Sequence, residues 1–272
     1  MKILFLGDVI GRSGREAVSK YVPDLKDRLG IEFVIANAEN AAAGFGITDK
    51  ICRELYGYGV DVITTGNHVW DQRAIVGYID SDPRLLRPNN FPSGTPGRGC
   101  NLFTSASGQR VLVINVMGRV FMDAIDCPFA SIDEALENYR LGASVDAIVI
   151  DSHCEATSEK MAIGQFSDGR VSAVVGSHSH VPTADAQILP EGTAYQTDAG
   201  MCGDYDSVIG MVKDEPLRRF TRKMSGGRFS PALGEATLCG ILIETEATSG
   251  LAVRIDPVRL GGRLKPFVPD WS

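Results

Sequence analysis

Met1-Lys2-Ile3-Leu4-Phe5-Leu6-Gly7-Asp8 opens the chain: a short apolar run that reads as a β-strand, then a glycine and a carboxylate. The same order recurs further on. Residues 32–36 run into Asn37-Ala38-Glu39-Asn40, and residues 61–65 into Gly66-Asn67-His68. Ala147-Ile148-Val149-Ile150 leads to Asp151-Ser152-His153, and Ala173-Val174-Val175 leads to Gly176-Ser177-His178-Ser179-His180. Amphipathic stretches separate these runs, the pattern of parallel strands joined by crossover helices, so the fold class is α/β. In open α/β sheets ligands bind outside the carboxyl ends of the strands. Five segments therefore deliver polar groups to one rim.

Around these runs the remaining elements are expected as follows. A helix opens at Ser13, where Glu16 completes a capping box, and Pro23 bends or interrupts it. Helices are expected over residues 48–58, 71–79, from Ser131 with Glu134 to near Gly142, within 157–167 and over 215–224. Residues 83–109, rich in Pro, Gly and Asn, read as extended surface structure. Further strands are expected over 111–116, 145–150, 171–175, 193–197, 237–244 and 251–258. With no internal repeat and no low-complexity tract, residues 1–272 read as a single domain.

At 44% hydrophobic and 22% charged residues the chain can bury a core, which excludes disordered and fibrous classes. A net charge of -7 argues against stable binding of duplex nucleic acid through its phosphates. The first apolar run is too short for a signal peptide, and no run approaches a membrane span, so a cytoplasmic protein without a membrane partner is expected. Six cysteines without a CxxC pair fit a reducing compartment. A homo-oligomer is left open.

The chain has only four histidines, His68, His153, His178 and His180, and each follows one of the β-rich runs. Taken singly, a histidine after a strand is more often hydrogen-bonded or exposed than metal-bound, and an Asp ending a strand is often a helix cap. Taken together with Asp8, Glu39, Asn40 and Asn67, they form a nitrogen and oxygen donor set without thiolate. Such a set suits Fe or Mn first, with Zn, Co or Mg as alternatives. His178 and His180, two apart, would point to the same side of an extended chain. The set is too large for one open site and suits two divalent ions sharing a bridge. Two such ions, two carboxylates and a bridging hydroxide leave one positive charge to face a phosphodiester monoanion. That balance points to phosphoryl chemistry by a metal-activated hydroxide.

At Gly7-Asp8, Asn37-Ala38-Glu39-Asn40, Gly66-Asn67-His68, His153 and Gly176-Ser177-His178-Ser179-His180 the sequence resembles the calcineurin-like metallophosphoesterases, most closely their bacterial YmdB-type branch. The likeness extends through His153-Cys154-Glu155-Ala156-Thr157-Ser158-Glu159-Lys160 and Thr197-Asp198-Ala199-Gly200-Met201. It implies a four-layer sandwich of two mixed β-sheets flanked by helices, a dinuclear centre, and a phosphodiesterase acting on cyclic nucleotides, usually 2′,3′-cyclic ones. Carried over, Asp8, His180 and Asn40 would bind the first metal, Glu39 would bridge, and Asn67, His153 and His178 would bind the second. His68 would be the catalytic residue, donating a proton to the leaving oxygen or stabilising charge on the phosphoryl group. Ile10 and Glu39 stand where the wider superfamily has His and Asp, in agreement with the branch.

Some nearby residues carry weaker expectations. Asp71 is a candidate to orient His68, and Glu155 and Lys160 are candidates to support His153. Arg119 reads as either a phosphate contact or a surface ion pair. Gly7, Gly11 and Gly14 fit no nucleotide-binding spacing. Arg218, Arg219, Arg222, Lys223 and Arg228 read as a solvated face rather than an RNA groove. The alternatives to a diesterase are a phosphomonoesterase on nucleotides or phosphoproteins, and a metal-containing regulatory binding protein.

Overall fold

The two faces of the first strand, β1 (Lys2–Leu6), set the layering. Ile3 and Phe5 point one way, into an apolar cluster with Phe33, Ile35, Val113, Val149, Val175 and Ile241. Leu4 and Leu6 point the other way, against Val18, Val22 and Leu25 of the first helix. The first cluster draws on strands of two sheets, so it is the inter-sheet core.

The computed structural model describes residues 1–271. After β1 come β2 (Asp8–Val9), α1 (Gly11–Leu29), β3 (Phe33–Asn37), α2 (Asp49–Gly57) and β4 (Val62–Thr64). Next are 3-10 turns at Arg73–Gly77 and Ile79–Ser81, then β5 (Cys100–Thr104), β6 (Arg110–Met117), α3 (Pro128–Leu136) and β7 (Ala147–His153). The chain continues through α4 (Thr157–Ser167), β8 (Ala173–Ser177), β9 (Gln187–Ile188), β10 (Ala194–Gln196) and β11 (Met201–Cys202). It closes with α5 (Asp214–Arg222), β12 (Leu238–Thr245) and β13 (Ala252–Leu260).

One sheet has the order β13-β12-β1-β3-β4 and the other β5-β6-β7-β8-β10-β9, with β2 and β11 as a separate pair. Both large sheets are mixed. Helices α1 and α2 cover the outer face of the first, and α3 and α4 that of the second. The expected four-layer sandwich is present.

Within the first sheet β1, β3 and β4 are parallel, and within the second β6, β7 and β8 are parallel. Their carboxyl ends form the rim at which the candidate site is built. Counting by twos along each strand shows how. The inward positions 33 and 35 of β3 lead to Asn37, position 62 of β4 to Thr64, positions 147 and 149 of β7 to Asp151 and His153, and positions 173 and 175 of β8 to Ser177. At its last inward position each strand changes from apolar to polar.

Several local expectations are corrected. Helix α1 starts at Gly11, not Ser13, because the Gly11 N–H is taken by the Asn40 carbonyl at 2.9 Å. Ser13 is buried inside the helix rather than capping it. Pro23 does not interrupt α1; it lies on the exposed side, where water can satisfy the carbonyl it leaves free. Ser131 is likewise interior, since Pro128 occupies the start of α3 and the helix stops at Leu136. Residues 71–79 form 3-10 turns instead of an α-helix. The Pro-rich tract, in keeping with its extended reading, contains an edge strand, β5, paired antiparallel with β6.

Candidate metal centre

Asp8, Glu39, Asn40, His153 and His180 are buried and Asn67, His68 and His178 half-buried, although they come from five separate segments. Glu39, His153 and His178 each offer a ligand atom, and the three atoms lie within 4.8 Å of one another. Nε2 of His153 is 3.1 Å from Glu39 Oε1, 3.1 Å from Asn67 Oδ1 and 3.1 Å from His178 Nδ1. Gly66 makes room for this approach: a Cβ there would overlap the His153 ring and sit 2.6 Å from Glu39 Oε2.

A second group adjoins the first. His180 Nε2 lies 3.7 Å from Asp8 Oδ1 and 3.3 Å from the Asn40 amide nitrogen, which donates to Glu39 Oε1 at 3.3 Å. Glu39 thus stands between the groups, one carboxylate facing both. Asp8 Oδ2 accepts the His178 N–H at 3.0 Å, but Asp8 Oδ1 is buried with no hydrogen-bond partner among the described residues. An orphaned carboxylate oxygen is costly without a compensating donor or cation. The donor set therefore fits divalent ions, which the hard oxygen and imidazole ligands would satisfy.

The electrostatics agree. Burial opposes ionisation of Glu39, but the neighbouring His153 outweighs it and holds the carboxyl at about 2. Burial also opposes charge on His153, yet Glu39 and Asp8 push it up to about 9. Burial raises Asp8 to about 6, and burial with the adjacent His153 charge lowers His178 to about 3.

The groups beneath His153 went unnoticed in the sequence. Ser177 Oγ donates to Asp151 Oδ1 at 2.6 Å, so its lone pair accepts the His153 Nδ1–H at 2.8 Å and leaves Nε2 for ligation. Asn37 donates to Asp151 Oδ2 at 3.0 Å, and Thr64 donates to the same oxygen at 2.5 Å. The signal that would have found them is the period-two count above.

His178 and His180 are not on an extended chain. Both have positive φ, 92° and 64°, and they serve different groups. This conformation costs about 1–3 kcal/mol per residue unless the surroundings fix it. Here Asp198 Oδ2 accepts the Ser179 N–H at 3.1 Å, the Ser179 hydroxyl at 2.6 Å and the buried Lys160 ammonium at 2.7 Å. The Tyr205 hydroxyl donates to the His180 carbonyl at 3.1 Å, and His180 Nδ1 donates to the Ile209 carbonyl at 2.8 Å. Lys160 therefore supports the loop and not His153, and Glu155 faces His178 Nε2 at 3.1 Å.

His68 sits at the mouth of the site. Its Nδ1 is 2.7 Å from Asp71 Oδ2, its N–H donates to Glu39 Oε2 at 2.9 Å, and Phe45 packs against the ring edge-on at 5.0 Å. Arg119 is exposed and does not line the cavity above the cluster.

A family model described as YmdB-like protein matches residues 4–258. The chain belongs to the YmdB-like family. A Bacillus subtilis relative named 2′,3′-cyclic-nucleotide 2′-phosphodiesterase is 47% identical over 258 residues, covering 95% of this chain and 96% of that protein. The crystal structure of a hypothetical protein from Thermus thermophilus superposes with a TM-score of 0.89 at 41% identity, covering 97% of this chain and all of the other. A Mycoplasma pneumoniae structure described as a novel phosphatase gives a TM-score of 0.88 at 32% identity, covering 96% and 93%. Among the described residues no helix is long and apolar enough to cross a membrane.

Proposed function

We propose that this chain, acting as one domain over residues 1–272, is a metal-dependent phosphodiesterase that hydrolyses small cyclic nucleotides, 2′,3′-cyclic nucleotides first. One observation carries the reading: two donor groups flank the Glu39 carboxylate, and one of them contains the partnerless Asp8 oxygen. Asp8, Asn40 and His180 would hold one ion and Asn67, His153 and His178 the other, with Glu39 shared. Bound there, two divalent ions, Fe or Mn first and Zn, Co or Mg next, supply Lewis-acid charge for the phosphoryl oxygens and lower the pKa of a water.

The chain's own groups do the rest. Asp8 and Glu39 cancel only part of the cationic charge, so the site retains attraction for a phosphodiester monoanion. Ser177 and Asp151 fix the His153 ring and its tautomer. Asp71 accepts the His68 Nδ1–H and so directs the ring, while Nε2 delivers a proton to the leaving oxygen. The name of the Bacillus subtilis relative supports the diester substrate, and six free cysteines fit a cytoplasmic setting.

The test is elemental analysis of the purified protein, then turnover of 2′,3′- and 3′,5′-cyclic nucleotides beside phosphomonoesters. Two ions per chain and preferred turnover of the 2′,3′-cyclic diester are expected. Monoester preference would overturn the reading in favour of a phosphomonoesterase, which the description of the Mycoplasma pneumoniae structure as a phosphatase favours.

A further inference from the structure

The cavity that opens on Glu39, Asn40, His178 and His180 has a volume of about 640 Å³. That lies within the range of about 300–1,000 Å³ typical of sites that enclose a whole small molecule, and a cyclic phosphate occupies only the end beside the histidines. The remaining wall is apolar and aromatic, made chiefly by Phe45, Ile209, Met211, Phe220 and Phe229.

Helix α5 supplies one side of it. Pro216, Arg219 and Phe220 line the cavity at the spacing i, i+3, i+4, which places them on one helical face, and Lys223, in the left-handed turn that ends the helix, lines it too. The remaining basic residues of that run, Arg218, Arg222 and Arg228, are exposed, so the solvated-face reading holds for only part of it. Of α5 only Pro216 is buried, and Phe220 is 78% exposed. An aromatic ring presented to an open cavity has apolar area still to cover.

Phe229 is held ready. The Arg219 guanidinium lies over its ring at 4.0 Å and is itself fixed by Glu215 at 2.7 Å, and Phe45 stands 6.5 Å away on the ring-centroid measure. With its charge paired, Arg219 stiffens the wall and does not compete for phosphate. Flat ligands gain most from such a surface, because every nucleobase presents a π-face to stack.

Resting on the phosphodiesterase reading, we propose that Phe45, Phe220 and Phe229 form a nucleobase subsite that makes the enzyme selective for nucleotides over base-free cyclic phosphates. Because the wall is made of rings and aliphatic groups, discrimination among the four bases is weak, within about tenfold.

In the metal-loaded protein, kcat/KM is compared for adenosine 2′,3′-cyclic phosphate and glycerol 1,2-cyclic phosphate, which keeps the five-membered diester but has no base. The nucleotide is expected to be favoured about five- to hundredfold, the span that stacking on aromatic side chains provides. Phe229→Leu and Phe220→Ala should each shrink this ratio about fivefold or more, mainly through KM. Phe220 is a surface residue, so the second variant stays informative if the first folds poorly. A wild-type ratio near one, or a ratio unmoved in the folded variants, would overturn the subsite. If neither diester is turned over, the phosphodiesterase reading fails instead. The subsite is then judged by equilibrium binding of adenosine 3′-phosphate against ribose 3-phosphate: tighter nucleotide binding lost in Phe220→Ala supports it, and equal affinities overturn it.

Discussion

Glu39 and Asp8 surround His153 and favour its protonated form, while the proposed function gives its Nε2 to a metal ion. The sign of the pH effect follows. Its pKa is raised to about 9, so the stabilisation from its charge is fully present below 6.5 and is lost as pH rises through 9. An ion that takes Nε2 must displace that proton. Loading the protein with Mn²⁺ at pH 7 should therefore release at least one proton per chain, one from His153 and any further one from the activated water, and affinity should climb with pH until about 9. Calorimetric titration in two buffers of different ionisation enthalpy measures the release; none would contradict the place given to His153. His68 makes a contrasting case, since the proposed function gives it the proton-transfer step and no metal. His68→Ala should keep the metal content and lower kcat about 10²–10⁴-fold. Loss of metal in that variant would show the roles to be misassigned.

The loop after β8 is the element on which the site turns. Lys160 of α4 and Asp198 are both fully buried, and through Ser179 they hold the left-handed backbone at His178 and His180. Removing one partner of a buried pair typically costs about 3–5 kcal/mol. Lys160→Met should lower the urea midpoint accordingly and weaken metal binding, and the added Asp198→Asn change should recover part of both. Unchanged stability and metal affinity would count against the clamp. This loop also marks the limit of what the sequence made legible. The strands that lead to Asp8, Asn67, His153 and His178 are readable because apolar runs and the polar residues that follow them are local patterns. The extended backbone expected for His178 and His180 was wrong, because tertiary contacts to Asp198 and Tyr205 decide it. The β2 and β11 pair was missed for a similar reason, joining Asp8 to Met201 across most of the chain. Helix starts at Ser13 and Ser131 were misplaced because the Asn40 carbonyl and Pro128, outside the capping signature, fixed the first turns.

At the scale of the molecule, neither sheet holds the site alone. Glu39, Asn40 and Asn67 follow strands of the first sheet, His153, His178 and His180 end or follow strands of the second, and Asp8 opens β2 two residues past the end of β1. The hydrogen bonds from Asn37 and Thr64 to Asp151 tie the two rims together where the apolar inter-sheet core stops. Packing of the layers thus sets the spacing of the ligands, which explains how residues so distant in sequence meet around Glu39. Under the proposed function, two ions held across this seam drive diester hydrolysis. This is tested most directly by adding Mn²⁺ stepwise to metal-depleted protein while following hydrolysis of adenosine 2′,3′-cyclic phosphate. Activity is expected to rise to a plateau at two ions per chain, and a plateau at one, or full activity before any addition, would contradict the account.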